Sequence, residues 1–130
     1  MNTAFFDIET DGLEATRVHC ICAMLDNDET TVYNFIGGEA NGLFRKWLAS
    51  ENVDTLIGHN IIGYDIPLLK EQFPDFNYQG QTLDTLVLSR LFYPHISDRD
   101  FERRPHGMPQ RLYGRHSLEA WGYRLKCFKG

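Results

Sequence analysis

The sequence predicts an α/β fold: a mixed sheet, made of an antiparallel meander and a parallel strand, flanked by helices. Three observations predict it. Residues 1–36 hold three β-prone runs separated by short turns. A helical pattern with Leu43, Phe44, Trp47 and Leu48 on one face then spans Glu39 to Ser50. An apolar run ending at Gly58 follows, with a composition that suits a parallel strand buried on both faces.

The elements follow in order. Residues 3–9 read as the first strand, 18–26 as the second and 30–36 as the third, with Asp26-Asn27-Asp28 turning between the last two. The fourth strand is expected at 55–58. Helices are expected near 66–73, 84–92 and 117–125, and Pro67 sits where a first helical turn tolerates it. Residues 94–115, with several Pro and Gly, read as a long connection of the kind that is usually functional or mobile. No repeat, low-complexity tract or linker divides the chain, so its 130 residues are expected to form one small domain.

Chemistry enters at Phe5-Phe6-Asp7-Ile8-Glu9-Thr10. Side chains alternate along a strand, so Asp7 and Glu9 share a face while Ile8 points to the other. Carboxylates held side by side repel until a cation neutralises them, and hard ions such as Mg²⁺ and Mn²⁺ take carboxylate oxygens. Alone, Asp-x-Glu is only an exposed strand end. A further acid, Asp65, closes Gly58-His59-Asn60-Ile61-Ile62-Gly63-Tyr64-Asp65 at a strand-to-helix passage. Parallel pairing of strands one and four would bring Asp7, Glu9 and Asp65 to one rim.

Together the two motifs resemble the DEDD superfamily of exonucleases, which are ribonuclease H-like. Asp7-Ile8-Glu9-Thr10-Asp11-Gly12-Leu13 is similar to the first family motif, and Asn60-x-x-x-Tyr64-Asp65 to the second. The blocks Leu83 to Leu91 and Ser117 to Leu125 narrow the resemblance to the amino-terminal proofreading domain of phage-type family A DNA polymerases. Four blocks in the right order are far more specific than any one of them.

The resemblance implies a 3′-to-5′ exonuclease acting on the single-stranded 3′ end of DNA, with a two-metal Mg²⁺ or Mn²⁺ site hydrolysing the terminal phosphodiester. Asp7, Glu9 and Asp65 would be both catalytic and metal-binding: Asp7 shared by the two ions, Glu9 serving the ion that carries the nucleophile, Asp65 the ion near the leaving group. Thr10 and Leu13 correspond to residues that meet the terminal base and sugar, and Asn60 and Tyr64 to positions beside the scissile end. On the residues alone, turn capping suits Asn60 equally, and ordinary packing suits Leu13 and Tyr64.

The family's third motif, Tyr-x-x-x-Asp or His-x-x-x-x-Asp, supplies a fourth carboxylate. No Tyr-x-x-x-Asp occurs in the 130 residues, and the spacing from His95 to Asp100 falls in the expected connection. Asp84 is the better auxiliary acid by position, with a helix N-cap as its other reading. The expectation is a C-terminally incomplete fold, a single exonuclease-like domain over residues 1–130 that ends before the last motif, and weak or absent activity, with only one ion retained. A DNA polymerase or a partner chain would supply the missing motif. The alternative function is a non-catalytic nucleic-acid-binding or polymerase-associated module on the same fold.

Composition is consistent with this. The chain is 42% apolar, as a folded globule requires, and has no signal peptide or span long enough for a bilayer, which predicts a soluble protein in the cytoplasm, of the host cell if viral. Three cysteines exclude a complete disulfide framework within one chain. Cys20 and Cys22 read as core thiols of a buried strand, or with His19 as soft-metal ligands. Charge divides sharply: residues 1–89 carry 4 Lys and Arg against 14 Asp and Glu, residues 90–130 carry 9 against 4. The arginines of the basic part suit either a phosphate backbone or a solvated loop.

Overall fold

Alternation along the first strand decides which face of the sheet becomes the core. In the computed structural model, which describes residues 2–10, 18–37, 39–74 and 76–127, β1 (Asn2–Thr10) buries Ala4, Phe6 and Ile8 and leaves Asp7 and Glu9 exposed. β2 (Val18–Leu25) pairs antiparallel with β1, and β3 (Tyr33–Ile36) antiparallel with β2. α1 (Ala40–Ser50) then leads to β4 (Val53–Gly58), which lies parallel to β1. A π-helical turn (Ile61–Asp65) runs into α2 (Ile66–Gln72), and β5 (Gln81–Asp84) pairs parallel with β4. The sheet order is β3-β2-β1-β4-β5, the expected meander joined to parallel strands.

Chain contacts divide the molecule into two compact units, Met1–Thr85 and Leu86–Gly130. In the first, α1 lays Ala40, Phe44, Trp47 and Leu48 on the sheet. Phe44 is the hub: its ring is 5.7 Å from Phe6, 5.6 Å from Phe35 and 6.2 Å from Trp47. Leu43, expected on the buried face, is exposed, and Ala40 takes its place one turn earlier.

Four expectations are corrected. The third strand is shorter than 30–36 because Asp28 accepts hydrogen bonds from the Thr30 N–H and hydroxyl, which extends the turn. β4 is not buried on both faces, since Thr55 and Ile57 are only half-buried. β5 was not expected: its four residues are mostly exposed or half-buried, and pairing with β4 defines it. The connection 94–115 contains α4 (Ile96–Arg103) and a 3-10 turn (Gln110–Leu112).

The second unit also contains α3 (Thr85–Phe92, whose first residue belongs to the first unit) and α5 (Leu118–Leu125). Its apolar core is small, centred on Met108, Leu112 and Ala120. A buried ion pair supplements it: Arg124 donates from Nε to Asp100 Oδ1 at 2.9 Å and from Nη2 to Oδ2 at 2.6 Å, and the Gly114 N–H also reaches Oδ2 at 2.9 Å. Burial alone would raise the Asp100 pKa, but the hydrogen bonds from Arg124 and Gly114 and the guanidinium charge outweigh it, so the carboxyl is held below its usual range.

Two measurements test this packing. Phe44→Ala is expected to cost about 3–5 kcal/mol in urea unfolding. Because the folded Asp100 pKa lies below the unfolded one, the pair's stabilisation is present above the ordinary carboxylate pKa and is lost as pH falls through the folded value. Melting followed by circular dichroism in acid should show this loss, and Asp100→Asn should remove it while costing about 3–5 kcal/mol at neutral pH.

Candidate active site

The site lies at the carboxyl ends of the parallel strands. The β1–β4 register runs through Phe5 opposite Ile57 and the β4–β5 register through Gly58 opposite Asp84. β1 continues past the end of β4, so Asp7 projects where the chain leaves β4 for the turn carrying Asn60, Tyr64 and Asp65.

That turn is tightly specified. A Cβ on Gly58 would collide with the Ile61 side chain and come within 2.9 Å of the Phe6 carbonyl oxygen, so only glycine permits this approach. Asn60 adopts the left-handed conformation, with φ +61°. The following turn is π-helical, a widening that recurs at functional sites. Asp84 holds it from the side: Oδ1 accepts from the Asn60 N–H at 2.8 Å and Oδ2 from the Ile62 N–H at 2.9 Å. The Thr85 hydroxyl donates to the Gly58 carbonyl at 3.3 Å and lies 3.0 Å from His59 Nδ1. Asp84 thus acts as a clamp on the loop that carries Asp65.

Asp65 is 4% exposed, and its Oδ2 is buried with no hydrogen-bond partner among the described residues. Burial, then the charge of Asp7, and then that of Asp84 push its pKa up to about 7, against hydrogen bonds from the Ile8 and Asp65 backbone. Asp7 and Asp65 are therefore close enough to feel each other's charge. Glu9 shares the exposed face of β1 with Asp7. Among the described residues no three His, Cys, Asp or Glu side chains converge closely enough to hold a metal ion. Tyr64 is half-buried against the core and Asn60 is exposed. Thr10 is described in its backbone alone, and Leu13, with the rest of residues 11–17, lies outside the described residues.

The face that carries the acids also carries the thiols. Cys22 lies opposite Asp7 and Cys20 opposite Glu9, whereas Ile21, Ala23 and Leu25 face the core. Cys20 and Cys22 are therefore half-buried neighbours of the carboxylates and not core residues. Their sulfurs are 3.9 Å apart, and Cys22 donates to Asn34 Oδ1 at 3.1 Å. Burial, Cys20 and the charges of Asp7 and Glu9 push the Cys22 thiol up to about 11.

Two roles were not anticipated from sequence. Asp84 serves the loop through both carboxylate oxygens, and the β-prone Gln81-Thr82-Leu83 before it was the available clue. Asp100 is committed to Arg124 and Gly114.

Comparison with known proteins bears on the same elements. A family model described as the RNase_H superfamily matches residues 4–104. The chain is 31% identical over 142 aligned positions to the DNA-directed DNA polymerase of Enterobacteria phage T3 and 32% identical over 135 to that of Escherichia phage T7. Each alignment covers 95% of this chain and 19% of the polymerase, so the chain spans about a fifth of those relatives. Among solved structures, the family B DNA polymerase of the archaeon Pyrobaculum calidifontis superposes with a TM-score of 0.57 at 14% identity, covering 98% of this chain and 22% of that one, a likeness of fold.

Asp84→Ala should leave the part-buried N–H groups of Asn60 and Ile62 without this acceptor and cost about 1–3 kcal/mol. Amide exchange at Asn60 and Ile62 should accelerate in that variant while exchange in β2 is unchanged.

Proposed function

The chain belongs to the RNase_H superfamily, and from that premise we propose that it is a metal-dependent 3′-to-5′ exonuclease of proofreading type acting on single-stranded DNA. Asp65 carries the reading. A buried carboxyl with an unpartnered oxygen, raised to about 7 beside the charge of Asp7, is a group whose ionised form needs a cation. The similarity to two phage DNA polymerases supports the substrate class.

The donor chemistry suits the expected ions, and Asp65 lies close enough to Asp7 to feel its charge, although no third acid converges with them among the described residues. All the donors are carboxylate oxygens, which suit Mg²⁺ or Mn²⁺ better than a soft metal. Asp7, Glu9 and Asp65 would hold them. Bound there, divalent ions supply an activated water and neutralise charge on the phosphodiester.

The chain's own residues account for the rest of the proposal. Asp84 holds the Asn60–Asp65 loop, which would keep Asn60 and Tyr64 in the positions proposed for them beside the scissile end. Thr10 and Leu13 keep their proposed contacts with the terminal base and sugar. No Tyr-x-x-x-Asp occurs within residues 1–130, which we read as one exonuclease-like functional unit. Without that motif the attacking water lacks its orienting group, so activity is slow unless a polymerase segment or a partner chain supplies it. The basic Leu86–Gly130 unit suits a second reading: a nucleic-acid-binding or polymerase-associated module on the same fold that does not catalyse.

A 5′-labelled single-stranded oligonucleotide with Mn²⁺ should give a slow ladder of products on a denaturing gel. EDTA should abolish it. Asp7→Ala and Asp65→Asn should each slow it by about 100-fold or more, since even outer partners of metal sites are worth about 10–100-fold. Hydrolysis that ignores both substitutions would overturn the assignment. Binding that survives them, with no hydrolysis by the parent chain, would establish the second reading.

A further inference from the structure

The Leu86–Gly130 unit carries 9 Lys and Arg against 4 Asp and Glu. A cavity of about 300 Å³ opens within this unit, lined by Tyr93, Arg99, Arg103, Trp121, Arg124 and Lys126 among others. Its volume sits at the lower end of small-ligand sites, which run from about 300 to 1,000 Å³.

The walls combine aromatic rings and cations with the apolar side chains of Ile96, Pro105 and Leu125, and contacts among them hold the rings. The Trp121 indole N–H donates to Ser89 Oγ at 2.8 Å, and Ser89 Oγ lies 2.6 Å from His116 Nδ1, which fixes the ring. Tyr93 meets Trp121 edge-on at 5.2 Å. Arg124 lies over the Trp121 ring at 4.9 Å, and Arg99 over Tyr93 at 5.6 Å. Asp100 lines the cavity too, but Arg124 neutralises it, which leaves Arg99, Arg103 and Lys126 at the rim with no carboxylate partner among the described residues. Arg99 and Arg103 stand one turn apart on one stripe of α4. The Arg124 side chain is 8% exposed, and its Nη1 has no acceptor among the described residues.

We propose that this cavity binds one nucleotide of a single-stranded nucleic acid, its phosphate against Arg99, Arg103 and Lys126 and its base against Tyr93 and Trp121. Held aromatic rings and cations without a carboxylate partner are the two components of single-strand binding. An acidic peptide would use the cations and leave the rings unused. The ligand class rests on the nuclease reading, but the contact needs no metal and none of Asp7, Glu9 or Asp65.

The test is fluorescence anisotropy of a labelled oligothymidylate with the whole chain in EDTA, across a salt series. Arg99→Ala with Arg103→Ala should weaken binding at least about tenfold and flatten the log–log salt slope by about 0.7, the value for one phosphate contact on a single strand. Tyr93→Ala should weaken binding about tenfold and leave the slope unchanged, because stacking releases no counterions. Asp7→Ala with Asp65→Ala should leave this metal-free binding intact, so failure here is distinct from failure of the nuclease assignment. Lys46→Ala, a cation in the other unit, should change little. Binding that ignores the arginine pair and Tyr93 alike would overturn the proposal, as would polyglutamate competing as well as the oligonucleotide.

Discussion

Parallel pairing of β1 with β4 is the constraint on which the candidate active site depends. β1 is central, held antiparallel by β2 on one side and parallel by β4 on the other, so its direction and register are specified twice. Because β4 stops at Gly58 while β1 runs on to Thr10, the acids of β1 stand beyond the last shared rung. The chain leaving β4 must turn there, and the glycine that permits the turn is the last residue of the strand.

Electrostatics then act on a geometry the backbone has already built. Asp65, at the end of the turn after β4, feels the charges of Asp7 on β1 and of Asp84 at the end of β5, and the three are treated differently. Asp84 spends both oxygens on backbone N–H groups, Asp7 is exposed, and Asp65 is buried with an oxygen unpaired. Burial without a full set of donors makes ionisation of Asp65 costly, which separates it from the structural acid beside it.

The fold was largely legible because its first half obeys short-range rules. Ala4, Phe6 and Ile8 alternate with Phe5, Asp7 and Glu9, and Phe44, Trp47 and Leu48 recur at helical spacing, so period alone places them. What escaped depends on partners distant in sequence. β5 is a four-residue edge strand defined by its neighbour, and α4 buries only Ile96 and Asp100, the second through an ion pair that hydrophobic periodicity does not register. Cys20 and Cys22 were assigned to the wrong face because nonpolar residues on both sides of β2 mask its alternation. For the site, the parallel pairing expected of strands one and four predicts Asp7 and Asp65 at one rim, and Asp65 feels the charge of Asp7, while the clamp from Asp84 required β5 to be known.

The misread thiols have a consequence for handling the protein. Nucleophilic sulfur must be ionised, and Cys22, with its pKa pushed to about 11 among carboxylates and hydrogen-bonded to Asn34, is almost wholly protonated at neutral pH. Cys127 is exposed. A maleimide dye would therefore react at Cys127 ahead of Cys22, giving a reporter attached to the basic unit.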